Sequence, residues 1–134
     1  MKVYEAMANA FIREGTTTLF GLLGDGQMTW WAAIAKHPEL KIVDTRDEGT
    51  AVTMAEGYAM ATGKVGVASA TQGPGLARMT TSLIVAARSH TPVVVYTSKT
   101  ALNNEHLVQH LNQDQLIAVF RPPDLRLVGR HCPG

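Results

Sequence analysis

Apolar residues recur along the chain in two alternating rhythms, and the alternation predicts helices separated by short strands. Over residues 3–14, Val3, Ala6, Met7, Ala10 and Phe11 fall at helical spacing, and Gly15 supplies the residue that ends such a helix. A short run over 17–20 predicts a first strand, a helix is expected over 28–36, and a second strand over 41–43. From Glu48 or Gly49 to Thr62 the pattern is helical, closed by Gly63, and 65–70 reads as a third strand. Leu76, Met79, Leu83 and Ala87 share one face of a helix over 76–88, and 92–96 is a fourth strand. Parallel strands need crossovers, and crossover helices bury the sheet on both sides. The expected fold class is therefore α/β, a parallel sheet with helices on both faces.

The rhythm changes after Thr97. Residues 98–112 are polar, a short helix is expected over 113–120, and the proline- and arginine-rich stretch 121–134 holds at most one brief strand. This divides the chain into a domain over 1–120 and an atypical tail over 121–134, with the sheet expected to be incomplete at its C-terminal end. At 134 residues and 46% hydrophobic composition, there is material for one core. The formal charge of +1 is dispersed, so neither a nucleic-acid stripe nor an acidic tail is indicated. No apolar run approaches the roughly 18 to 20 residues that cross a bilayer, and the N-terminus lacks a secretory core, so a cytoplasmic protein with no membrane partner is expected. The lone Cys132 has no internal partner for a disulfide.

Several positions carry candidate chemistry. Glu48 lies at a strand-to-helix junction, where α/β sheets gather ligands, although a carboxylate there also suits the helix macrodipole. Gly73-Pro74-Gly75 follows the third strand and precedes a helix, which fits either a tight turn or close approach of backbone to a ligand. His106 and His110, four apart beside Glu105, would align two imidazoles for zinc on a helix, but their Asn- and Gln-rich surroundings read better as a solvated loop. Gly24-x-Gly26, with Asp44 about twenty residues on, partly matches a dinucleotide fingerprint. Thr29 replaces its third glycine and Asp25 would set a negative charge beside a pyrophosphate, so an NAD-binding Rossmann domain is a remote alternative. Trp30-Trp31 reads as core and interface packing.

Gly24-Asp25-Gly26, Arg46-Asp47-Glu48, the helical segment 55–63 and Thr71-Gln72-Gly73-Pro74-Gly75 together resemble, in order and spacing, one family. It is the N-terminal pyrimidine-binding domain of thiamine diphosphate enzymes of the acetolactate synthase, pyruvate decarboxylase and benzoylformate decarboxylase type, matched over roughly residues 1–120. The resemblance implies a flavodoxin-like fold and a catalytic role for Glu48, hydrogen-bonded to the N1′ nitrogen of the cofactor's aminopyrimidine. A proton shared there favours the imino tautomer that lets the cofactor's own amino group act as base. A carboxyl group can share that proton and an amide cannot. Cofactor contacts are likewise implied at Gly24, Thr71, Gln72, Gly73 and Pro74, with Gln72 narrowing or polarising the pocket. A β-branched side chain at Gly73 is expected to cost cofactor affinity more than stability. His110 and Gln113 become candidates for substrate contact or proton relay.

The same family binds metal and diphosphate through another Gly-Asp-Gly motif followed by an Asn ligand. Residues 50–55 contain no Asn, so no metal ligand is assigned here, and Asp25 belongs to a turn. Mg²⁺ and the diphosphate are then expected on a separate diphosphate-binding domain or subunit, in a homo-oligomer. The expected activity is that of a lyase or transferase acting on a small 2-oxo acid, acetolactate synthase-like, with a decarboxylase next. A truncated chain is favoured over a split subunit, and in isolation it is expected to be inactive. The alternative is a non-catalytic remnant or subunit that associates with a homologous chain.

Overall fold

Among the described residues, four parallel strands, β1 (Thr18–Gly21), β2 (Lys41–Asp44), β3 (Gly66–Ala70) and β4 (Val93–Thr97), form one sheet in the order β2-β1-β3-β4. The structure is a computed structural model, and it describes residues 1–101, 103 and 105–118. Thr18 pairs with Lys41 and Gly21 with Asp44, while Leu19 pairs with Val67 and Gly21 with Ser69. Gly66 to Ala70 then run alongside Val93 to Thr97. The helices are α1 (Val3–Arg13), α2 (Met28–Ile34), α3 (Glu48–Thr62), α4 (Pro74–Arg88) and α5 (Gln113–Ala118), with a 3-10 turn at Asp25–Gln27 before α2.

Alternation along each strand sends neighbouring side chains into two different cores. Leu19, Val67, Ile42 and Tyr96 face one layer with Ala8, Met7 and Phe11 of α1 and Trp30, Trp31 and Ile34 of α2. Phe20, Ala68, Ala70, Val43 and Val95 face the other, against Ala51, Val52 and Ala55 of α3 and Met79 and Leu83 of α4. The first core is aromatic: Trp30 stacks on Tyr96 with ring centroids 3.8 Å apart, and Phe11 meets Trp30 edge-on at 5.4 Å. Trp30 and Trp31 are thus core residues. The second core is rich in alanine, with Ala51, Ala55, Ala68 and Ala70 beside Phe20, Val52 and Met79, and the alanines let α3 lie close to the sheet.

Helix boundaries follow local chemistry. Asp47 caps α3 by accepting the Thr50 N–H through Oδ1 at 3.0 Å, and Gly63 closes that helix at φ 70°. The apolar pattern of α4 begins at Leu76, yet the helix starts two residues earlier because Pro74 occupies its first turn, where its missing N–H costs nothing. Residues 105–109 form turns and a bend, as a loop would, so the alternative of a helix aligning His106 and His110 for zinc is not met. The tail over 121–134, Cys132 and the last two residues of the expected 113–120 helix lie outside the described residues.

Candidate functional site

Strand order decides where a site forms. β1 is flanked by β2 on one side and β3 on the other, so the chain winds away from β1 in both directions and leaves a crevice beyond the strands' carboxyl ends. The loop with Gly24 leaves β1, Glu48 follows β2, and the loop 71–73 leaves β3.

The β1 and β3 loops are in direct contact. A Cβ on Gly24 would lie 2.6 Å from the Thr71 Cβ, so only glycine fits there, and the Gly26 N–H donates to Thr71 Oγ1 at 3.3 Å. Thr71 also accepts, through its carbonyl, the Thr97 hydroxyl at 3.2 Å. Gln72 ties three segments together: its Oε1 accepts the Ser98 hydroxyl at 2.6 Å and the Thr71 hydroxyl at 3.2 Å, and its Nε2 donates to Gln109 Oε1 at 3.2 Å. A side chain on Gly26 would run into Gln72 Oε1 and Ser98 Oγ. That glycine therefore accommodates protein side chains rather than a diphosphate, which removes the dinucleotide reading.

Gly73 sits at φ 62°, ψ −113°, immediately before α4, and any Cβ would overlap the Gln109 carbonyl. Its buried N–H donates to Gln113 Oε1 at 3.0 Å, while Gln113 Nε2 donates to the Ser98 carbonyl at 3.0 Å. The space at Gly73 is thus filled by protein, and a β-branched residue there would cost the fold, contrary to the expectation that affinity would suffer first. Gln113 is buried with both ends of its amide engaged by backbone. His110 is half-buried, and its Nδ1 is shielded from solvent with no partner among the described residues.

Glu48 opens α3 with its side chain only 13% exposed. Its Oε2 lies 3.2 Å from Arg78 Nε, and its Oε1 lies 3.7 Å from where a Cβ on Gly75 would stand. Gly49 makes this approach of α3 to α4 possible, since a Cβ there would come within 3.2 Å of the Arg78 carbonyl and 3.3 Å of Ser82 Oγ. Arg78 also donates from Nε to Asp47 Oδ2 at 3.0 Å and from Nη2 to the same oxygen. The guanidinium, helped by the Thr50 N–H, holds the Asp47 carboxyl below the usual carboxylate range. Asp47 first, then Glu48, pushes the Arg78 guanidinium above its ordinary value. An open groove between α3 and α4 continues from this cluster, lined by Thr50, Thr53, Met54, Ala77, Thr81 and Ser82.

Asp47 entered the sequence reading only as part of the Arg46-Asp47-Glu48 motif, with no role of its own, and Arg78 did not enter it at all. The cap at Asp47 had a local signal, an Asp immediately before a helix, but Arg78 stands 31 residues away and only the packing of α4 on α3 brings it in. Among the described residues no group of three His, Cys, Asp or Glu is placed to hold a metal ion, and no helix is long and apolar enough to cross a membrane.

Comparison with known proteins bears on this geometry. Residues 1–119 match the family described as "Thiamine pyrophosphate enzyme, N-terminal TPP binding domain". The chain is 36% identical over 120 residues to 2-hydroxyacyl-CoA lyase 2 of Bos taurus, covering 88% of this chain and 18% of that protein. It is 37% identical over 95 residues to the probable acetolactate synthase large subunit of Methanococcus aeolicus, covering 71% of this chain and 16% of that protein. Among solved structures, the thiamine diphosphate-dependent 4-hydroxybenzoylformate decarboxylase of Rhodococcus jostii RHA1 shares the fold, with a TM-score of 0.78 at 20% identity over 89% of this chain and 23% of that one. The chain thus spans less than a fifth of the length of these two curated relatives.

Proposed function

The chain belongs to the family of thiamine pyrophosphate enzyme N-terminal TPP-binding domains, and on that premise we propose that it is the pyrimidine-binding part of a lyase or transferase acting on small 2-oxo acids, acetolactate synthase-like. One observation carries the reading: Glu48, nearly buried at the carboxyl edge of the sheet, has one oxygen held by Arg78 and the other turned to the glycine-lined start of α4.

The donor set fits the cofactor. Glu48 Oε1 accepts no hydrogen bond among the described residues, and the absent side chain of Gly75 leaves room beside it. When bound, thiamine diphosphate would supply a nucleophilic thiazolium carbon for the carbonyl of a 2-oxo acid and an electron sink for the pair left when the C–C bond to the departing carbon dioxide breaks. This chain's part is to hold a proton between Glu48 Oε1 and the pyrimidine N1′ nitrogen, and to present the Thr71–Pro74 backbone and Gly24 along the ring. Gln72 narrows the same space from the β3 side through its anchors on Ser98 and Gln109. His110, whose shielded Nδ1 has no partner among the described residues, is the candidate for substrate contact or proton relay. Gln113 contributes indirectly, by pinning Gly73. The diphosphate and Mg²⁺ belong in this reading to a separate domain or subunit of a cytoplasmic homo-oligomer.

The test is Glu48→Gln in the active assembly containing this chain. The amide keeps the shape but cannot share the proton, so 2-oxo acid turnover should fall by at least about a hundredfold, the usual contribution of a positioned acid or base, while thermal unfolding stays close to wild type. Turnover near the wild-type rate would remove Glu48 from the chemistry.

A further inference from the structure

We propose that Arg78 is the positioning residue for Glu48: anchored on Asp47, its guanidinium holds Glu48 Oε2 and thereby turns Oε1 toward Gly75. The consequence for turnover rests on the functional reading above, whereas the positioning itself does not.

Three features set this arrangement apart from an ordinary surface ion pair. Arg78 engages two carboxylates from consecutive residues, so its Nε lies 3.0 Å from Asp47 Oδ2 and 3.2 Å from Glu48 Oε2. Asp47 is itself immobilised, because its other oxygen caps α3 through the Thr50 N–H. The anchor is therefore part of the helix start rather than a mobile side chain. Finally, exposure is unequal along the chain of contacts: the Arg78 side chain is 66% exposed, Asp47 34% and Glu48 13%. A mostly exposed pair contributes little to stability, so an arginine here gains its importance from where it points the least exposed member.

Geometry explains why that pointing is needed. Glu48 is the first residue of α3, with no preceding helical turn to restrict its rotamers, and unheld it would sample several staggered states. With Oε2 engaged, rotation about the side chain is restricted and Oε1 remains directed at the start of α4. Asp47 takes two of the guanidinium's contacts, through Nε and Nη2, so Glu48 is oriented by a cation that it shares. Lysine cannot substitute fully, because a point ammonium on a flexible stem cannot span both carboxylates as a planar fork does.

The experiment uses NMR on the full chain with ¹³C-labelled glutamate, reading the side-chain couplings of Glu48 in wild type, Arg78→Gln, Arg78→Lys and Asp47→Asn. One dominant rotamer is expected in wild type, averaging over several in Arg78→Gln, and partial recovery in Arg78→Lys. Asp47→Asn retains the helix cap and should loosen Glu48 as well, because it removes the anchor. Thermal melts of the variants should lie only slightly below wild type, with every sample folded at the recording temperature, so that loosening cannot be unfolding. A Glu48 that keeps its single rotamer in Arg78→Gln overturns the proposal. In the active assembly, Arg78→Gln should lower kcat about ten- to a hundredfold with little change in KM for the 2-oxo acid, with partial rescue by Arg78→Lys. Loosened Glu48 with undiminished kcat would uphold the positioning and overturn the catalytic reading of Glu48.

Discussion

At the scale of single residues, Asp47 makes a pH-dependent contribution whose sign can be stated. Its folded-state carboxyl is depressed below the ordinary 3.8 by Arg78 and the Thr50 N–H. A depressed carboxylate stabilises the fold above the unfolded value, and that contribution is lost as pH falls through the lowered folded value. Asn at the same position still caps the helix but cannot pair with Arg78. Asp47→Asn should therefore melt below wild type near neutrality, and the gap should close as pH drops below 3.8. Melting curves collected across the acid range check this, and a gap that stays constant would mean the ion pair contributes nothing.

At the scale of elements, the loop between β3 and α4 is held by α5 and the segment before it rather than by its own residues. Gln113→Ala would strand the buried Gly73 N–H, at a cost of about 1–3 kcal/mol. Gly73→Ala would meet both the positive φ and the Gln109 carbonyl, so its cost should be at least about the same 1–3 kcal/mol that a strained backbone position carries. Urea denaturation with an unchanged slope would report both losses as stability. Wild-type stability in Gly73→Ala would mean that the 109–113 segment gives way freely. The two lesions share a network, so the double variant should lose less than the sum.

At the scale of the whole molecule, the aromatic core beneath β1, β3 and β4 centres on Trp30, which is fully buried between Phe11, Trp31 and Tyr96. Trp30→Ala should cost about 3–5 kcal/mol, the range for truncating a large core aromatic. Trp30→Phe should cost far less, since it also removes an indole N–H that is buried without a partner among the described residues. Chemical denaturation distinguishes the two. In the proposed reading the chain contributes the pyrimidine-side groups around Glu48 and the Gly73 loop, with the diphosphate held elsewhere. Its affinity for thiamine diphosphate should be millimolar or weaker, about 4 kcal/mol or less, by calorimetric titration with and without Mg²⁺. Micromolar, Mg²⁺-dependent binding would place diphosphate contacts on this chain that the reading assigns elsewhere.

Strand and helix assignments were legible because their causes are local. Period-two alternation separates Leu19 from Phe20 and Val67 from Ala68 into opposite cores and Gly63 ends α3, whereas the start of α4 at Pro74 was missed by two residues because the apolar pattern begins only at Leu76. Glu48 and the Gly73 loop could be picked out as well, since their positions at strand-to-helix junctions are properties of neighbouring residues. What sequence left open was every relation between distant segments. Strand order put the β1 and β3 loops side by side, close packing at Gly49 carried Arg78 to Asp47 and Glu48, and Gln109 and Gln113 closed over Gly73 from almost forty residues away. A glycine reads the same in a sequence whether a ligand or a carbonyl group fills the space beside it. Only the folded chain distinguishes them, because that space is bounded by residues whose proximity is created by the sheet and its crossovers, and no local pattern encodes it.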